Sequence, residues 1–261
     1  MKKTLWLTFL AFAGLVAYGQ ADTPKTNAEN TLLWRISGKN LAKPSYLFGT
    51  MHMICADDIA LSDSLVAAIG RADKVFLELD MDNMFEMIGA MGQMKMRNDT
   101  TLRDLLTEEE YKKVKEFFTK KNGLIPFAML ETYKPMLASS MIIEMQGREC
   151  DAMISMEELV MKEARKNNIG ISGLETVGYQ LSIFDSIPYQ LQAKQLLKMI
   201  ESGGDGGAEI REVTDAYRNQ QLEKMDELTR KEDMGIANFT DLLLYKRNRN
   251  WARKLDGLLA G

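Results

Sequence analysis

Three short apolar runs, each closed by a chemically active side chain, constrain the fold of this chain more than any other feature. Tyr46-Leu47-Phe48-Gly49-Thr50-Met51 leads to His52, the single histidine among 261 residues. Val75-Phe76-Leu77-Glu78-Leu79 embeds a carboxylate in an apolar run, and Ile169 to Leu174 ends at Glu175. Runs this short, rich in β-branched and aromatic residues, read as strands. Strand ends in such folds border the crevice where ligands sit, so the runs predict a sheet and a site together. A carboxylate buried at Glu78 needs a compensating cation, either a metal ion or an arginine.

The rest of the chain is mostly helical. Thr31–Ser37 and Ser45–Thr50 read as a hairpin around Gly38-Lys39-Asn40 and Pro44, followed by a helix over Leu61–Ala72. Met81, Met84, Met87, Met91 and Met94 recur at helical spacing, which favours packing of flexible thioethers over a copper site. Thr107-Glu108-Glu109-Glu110 and Ser155-Met156-Glu157-Glu158 are capping patterns that open helices. Pro135 and Pro188 interrupt the stretches Phe127–Gln146 and Gln180–Ile200. A Gly-rich run over 202–207 precedes helices at Glu209–Lys231 and Phe239–Leu259. The expected class is mixed α/β (α+β): a small central sheet with a helical insertion.

The ends of the chain speak of export. Lys2 and Lys3, the apolar stretch Leu5–Val16 and the small-residue site Ala17-Tyr18-Gly19 form a signal-peptide pattern over 1–19. A polar leader over 20–30 and a single domain over 31–261 follow, with no stable transmembrane anchor expected because the apolar run is short. Without Lys2 and Lys3 the chain carries 31 basic and 37 acidic residues, a net charge of −6. Basic residues are mixed with acidic ones, which argues against a nucleic-acid partner. Cys55 and Cys150 are the two cysteines; in an exported chain they form a disulfide or remain as buried thiols.

The segments Tyr46–His52, Val75–Asp80 and Gly173-Leu174-Glu175-Thr176 with Gln180 resemble the TraB/GumN family, which includes the Tiki-type metalloproteases. Tyr133-Lys134-Pro135 is similar to its Lys-Pro element, and Arg247-Asn248-x-x-Trp251-Ala252 to its late Arg-Asn-x-x-Trp helix. The resemblance spans 31–261. It implies an exported or tethered protein with a fold related to erythromycin esterases, acting on a peptide or protein substrate. His52, Glu78 and Glu175 would be catalytic and would hold a divalent metal, manganese or cobalt, with Arg247 and Asn248 beside them. The family pattern also has a second Gly-x-x-His strand after the late helix, which would fall beyond Gly261. Without it a metal is expected to bind weakly and the enzyme to be impaired.

Two functional readings follow. In the first, a metal-dependent hydrolase of the cell envelope uses Glu78 or Glu175 as general base, His52 as ligand or acid and Arg247 at a developing oxyanion. In the second, a non-catalytic exported binding protein uses the same crevice and its Met-rich helix, since Met-rich surfaces adapt to several partners.

Overall fold

A computed structural model describes residues 30–38, 41–120, 125–146, 152–202, 207–231 and 237–259. The expected signal peptide, residues 20–29 of the leader, the turn at 39–40 and the glycines at 203, 204 and 206 lie outside the described residues. No described helix is long and apolar enough to cross a membrane.

The first elements are β1 (Leu33–Ile36), β2 (Ser45–Phe48), β3 (Ile54–Cys55), α1 (Asp63–Ile69) and β4 (Lys74–Leu77). Then come α2 (Met84–Ala90), α3 (Leu102–Leu105), α4 (Glu108–Lys120), α5 (Phe127–Leu130) and α6 (Pro135–Gln146). β5 (Met153–Ile154), α7 (Met156–Lys166), β6 (Gly170–Gly173), α8 (Val177–Phe184) and α9 (Tyr189–Glu201) follow. The chain closes on α10 (Gly207–Arg218), α11 (Leu222–Lys231) and α12 (Lys246–Leu259). These elements form two compact units. The first draws on Met1–Glu78, Cys150–Leu174 and Glu209–Gly261, the second on Leu79–Glu149 and Glu175–Ala208.

The first unit holds the strands. β1 and β2 form the expected antiparallel hairpin, in register from Leu33↔Phe48 to Ile36↔Ser45. β4 and β6 pair in parallel from Lys74↔Gly170 to Leu77↔Gly173, a pairing that requires a long crossover. A third, two-residue ladder joins β3 to β5 through Ile54↔Ile154 and Cys55↔Met153. One small sheet was expected; among the described residues the strands pair as three separate two-stranded ladders, because each strand finds one partner only.

The core of this unit packs Leu65 and Ile69 of α1, Val160, Met161 and Ala164 of α7, Leu77, and Tyr217 of α10. The buried spacing along α7 is that of one apolar helix face, and Ser155 caps it by accepting the Glu158 N–H at 3.0 Å. A single helix over 209–231 was expected, but the chain breaks into α10 and α11 at Gln220. That residue adopts a left-handed φ of 55°, and its side-chain oxygen accepts the Leu32 N–H at 3.1 Å. Cys55 is disulfide-bonded; Cys150 lies outside the described residues.

The second unit is helical. Tyr111, Val114 and Phe118 of α4 pack on Leu130, Ile142 of α6 and Leu196 of α9. Thr107 and Glu110 form the expected capping box, with reciprocal bonds of 2.9 and 3.3 Å. Pro135 starts α6 rather than kinking a longer helix, since the first helical position needs no N–H. The methionine stripe is only partly covered: Met87 and Met94 are half-buried, whereas Met81, Met84 and Met91 are exposed together with Phe85 and Ile88, Phe85 to 91%.

Lys134 is the buried charge on which this unit is built. Only 1% exposed, it pairs with Asp185 at 2.9 Å and donates to the Leu181 carbonyl at 2.7 Å. Asp185 also meets Arg97 at 3.0 Å and accepts from the Tyr189 hydroxyl. Burial alone would raise the Asp185 carboxyl; the Tyr189 bond and the two cations outweigh it and hold it below the usual carboxylate range. Removing one partner of such a pair leaves the other charged and desolvated, so Lys134→Ala should lower stability by about 3 kcal/mol. Urea unfolding checks this, and Lys134→Ala with Asp185→Ala should cost less than the sum of the single changes.

Candidate functional site

The loop leaving β2 carries His52, and three contacts fix it. The Gly49 N–H continues the β1–β2 ladder to Leu32 at 2.9 Å. The Tyr217 hydroxyl donates to the Gly49 carbonyl at 2.8 Å. The Met156 N–H, at the start of α7, donates to the Met51 carbonyl at 3.1 Å. The short β3–β5 ladder runs directly into this last contact, so it delivers the first turn of α7 to the loop.

That delivery brings in Glu157, a residue the motifs do not single out. Its Oε1 lies 2.8 Å from His52 Nδ1 and accepts from the Thr50 hydroxyl at 2.5 Å. The sequence holds a faint signal for it: the cap at Ser155 uses only Glu158, which leaves an adjacent acid in the first turn without a capping task. Its other oxygen, Oε2, is buried and has no hydrogen-bond partner among the described residues. Burial would raise the Glu157 carboxyl, but the hydrogen bond and charge of His52, with the Thr50 hydroxyl, turn the net shift downward.

The imidazole responds in the opposite sense. The hydrogen bond to Glu157 raises the His52 pKa above its ordinary 6.5, against desolvation, which lowers it. The charge of Glu78 adds to the rise and that of Arg247 subtracts from it, so both stand within electrostatic reach of the ring. The His52 side chain is 64% exposed, so Nε2 is open to solvent while Nδ1 is held.

Glu78, at the end of β4, meets an arginine. Arg247 binds it at 2.9 Å, with the two side chains only 13% and 16% exposed. Arg247 is in turn placed by α12: it lies over the Trp251 ring at 4.9 Å and donates to the Leu243 carbonyl at 3.2 Å. Leu243 belongs to a π-helical turn, Asp241–Tyr245, that leads directly into α12. Such turns shift the phase of the helix that follows and recur at functional sites. Asn248 is buried on α12. Glu175 belongs to the second unit, where its carboxylate accepts from the Gln180 amide at 2.9 Å.

The structure thus brings His52, Glu78 and Arg247 together, adds Glu157 and Thr50, and assigns Glu175 to the other unit. His52 and Glu78, the two expected metal ligands of the first unit, are each engaged by another side chain. Among the described residues no three His, Cys, Asp or Glu side chains are grouped to hold one. The charge of Glu78 is already met by Arg247, and His52 Nδ1 is committed to Glu157. What the arrangement can do is acid–base chemistry, with a carboxylate orienting an imidazole whose second nitrogen faces water.

The profile of the TraB/PrgY/gumN family matches residues 32–261. No curated protein and no solved structure matches the chain.

Because His52 is the only histidine, its ring resonance reports this pair without ambiguity. In the untagged protein its NMR titration midpoint should lie above 6.5, and Glu157→Gln should move it down; a midpoint at or below 6.5 in the wild type would refute the pairing. The stability contributed by His52 is full below 6.5 and fades as pH rises through its raised folded value. That contributed by Glu157 is present above 4.5 and fades as pH falls through its lowered value. For the second pair, Glu78→Ala strands a largely buried guanidinium and should lower stability by about 2–3 kcal/mol in urea unfolding.

Proposed function

We propose that this chain, which belongs to the TraB/PrgY/gumN family, is an exported hydrolase of peptide or amide bonds in which His52 activates water. The single observation that carries the reading is the His52–Glu157 pair, with Nδ1 held at 2.8 Å on a solvent-open ring. The signal-peptide pattern of residues 1–19 supports export.

The steps balance without a further co-reactant. His52 Nε2 takes a proton from water as the water oxygen bonds to the substrate carbonyl carbon. Glu157 keeps the Nδ1 proton in place and stabilises the imidazolium that forms, the task of an orienting carboxylate. The imidazolium then returns its proton to the leaving nitrogen as the C–N bond breaks, giving a carboxylic acid and an amine. Glu78 and Arg247 form a neutral pair beside the ring and tune its charge in opposite senses. Metal-dependent chemistry at His52, Glu78 and Glu175 is not supported by the engagements of those side chains, and no step is assigned to a metal.

A binding role has its own supporting observation. The exposed face of α2 presents Met84, Phe85 and Ile88 to solvent, an apolar surface of the kind that engages protein partners.

Hydrolysis of a quenched fluorescent peptide mixture tests the catalytic reading. His52→Ala should abolish turnover, and Glu157→Gln should lower kcat/KM by roughly 10²-fold. The rising limb of the wild-type pH profile should lie above 6.5, since the base form of His52 is the active one and its pKa is raised. Full activity in His52→Ala would overturn the assignment.

A further inference from the structure

Tyr217, near the end of α10, is only 1% exposed. The burial of its ring is ordinary core packing, which a phenylalanine would supply as well. The hydroxyl is what packing leaves unexplained, because burying one costs free energy unless it is hydrogen-bonded. It donates to the Gly49 carbonyl at 2.8 Å, across 168 residues of chain.

That bond is one of a set that closes on the loop before His52. The Gly49 N–H is held by the Leu32 carbonyl at 2.9 Å, and the Leu32 N–H by the Gln220 side chain at 3.1 Å. The Met51 carbonyl is held by the Met156 N–H at 3.1 Å. The end of α10 therefore grips the loop twice, directly through Tyr217 and by way of Leu32 through Gln220. Burial and the charge of Glu157 raise the Tyr217 phenol above its ordinary value, against a backbone bond from Met51, so the hydroxyl keeps its proton and remains a donor.

The loop has a strict geometric task. The Thr50 hydroxyl and His52 Nδ1 converge on one atom, Glu157 Oε1, at 2.5 and 2.8 Å. Hydrogen bonds weaken steeply as their angle and length depart from the optimum, so a shift of this backbone disturbs both. With its side chain 64% exposed, His52 has little packing to aim its ring, and the aim depends on the backbone that carries it.

We propose that Tyr217 is a positioning residue for the His52 base: its hydroxyl fixes the backbone at Gly49, so that the ring keeps Nδ1 on Glu157 and leaves Nε2 free to take a proton from water. The inference deepens the hydrolase reading and rests on it for the change in rate, whereas the change in the ring itself is measured without substrate.

Tyr217→Phe in the full chain keeps the ring and removes only the hydroxyl. Because His52 is the only histidine, one pair of side-chain ¹⁵N resonances reports its tautomer at alkaline pH, where the ring is neutral. The wild type should hold the Nδ1–H form that Glu157 selects, and Tyr217→Phe should shift it toward the Nε2–H form that free imidazole prefers. For the best-cleaved peptide of the quenched mixture, kcat should fall about tenfold or more while KM stays within about twofold. Leu228→Val thins the same core from α11 without touching the loop bonds, and should leave both tautomer and kcat unchanged. A wild type already in the Nε2–H form, an unchanged tautomer or kcat in Tyr217→Phe, or an equal shift in Leu228→Val would overturn the proposal. A wild type without turnover fails the hydrolase reading, and a tautomer shift in Tyr217→Phe then still upholds the positioning of the ring.

Discussion

Two carboxylates withdrawn from water, Glu78 and Glu157, set the terms for the first unit. Glu78 follows the end of β4 and Glu157 lies in the first turn of α7, both largely buried, and a charge so placed must find a cation or lose its ionisation. Glu78 is met by Arg247, which lies 169 residues further along the chain. Glu157 is met by His52, supported by Thr50. The first pair ties α12 to the end of β4. The second ties the opening turn of α7 to the loop after β2. Four segments remote in sequence are therefore held at one place by two neutralised charges.

The same pairings decide what chemistry is within reach. An imidazole fixed by a carboxylate at one nitrogen and open at the other is a proton carrier, and its raised pKa follows from that bond. A carboxylate neutralised by a guanidinium is a poor candidate for a metal ligand, because a cation already occupies its field. Glu78 thus changes role between sequence and structure while remaining at the site. The cation that its burial demands is the arginine of the late helix motif.

Much of the architecture was legible in local pattern. The hairpin of β1 and β2, the strand β4, and the caps at Thr107 and Ser155 follow from period-two alternation and from side chains that satisfy orphan N–H groups. Pro135 and Pro188 were legible as breaks, and the structure turns each break into a helix start, with Pro135 the first residue of α6 and Pro188 the N-cap of α9. The methionine stripe at helical spacing identified α2 correctly but not its surroundings: periodicity shows which residues share a face, and it is silent on whether anything covers that face. The break at Gln220 was illegible because a left-handed glutamine carries no compositional mark, and its cause is a side-chain bond to Leu32 from the opposite end of the chain.

By itself the sequence determined the strand ends, and with them His52 and Glu78 as candidates, because a polar side chain closing an apolar run is visible in one dimension; Arg247 entered through the resemblance of its helix to the family's late motif. Only the tertiary structure decided the partners. The two-residue ladder of β3 and β5 is too short to announce itself, yet it carries Glu157 to His52. Tyr217 reads in sequence as one more aromatic on a helix; that its hydroxyl holds the loop before His52 is a fact of three-dimensional packing. Local pattern reports what each segment prefers, whereas the cation that meets a carboxylate and the strand that meets an edge depend on long-range closure of the chain, which no window of sequence contains.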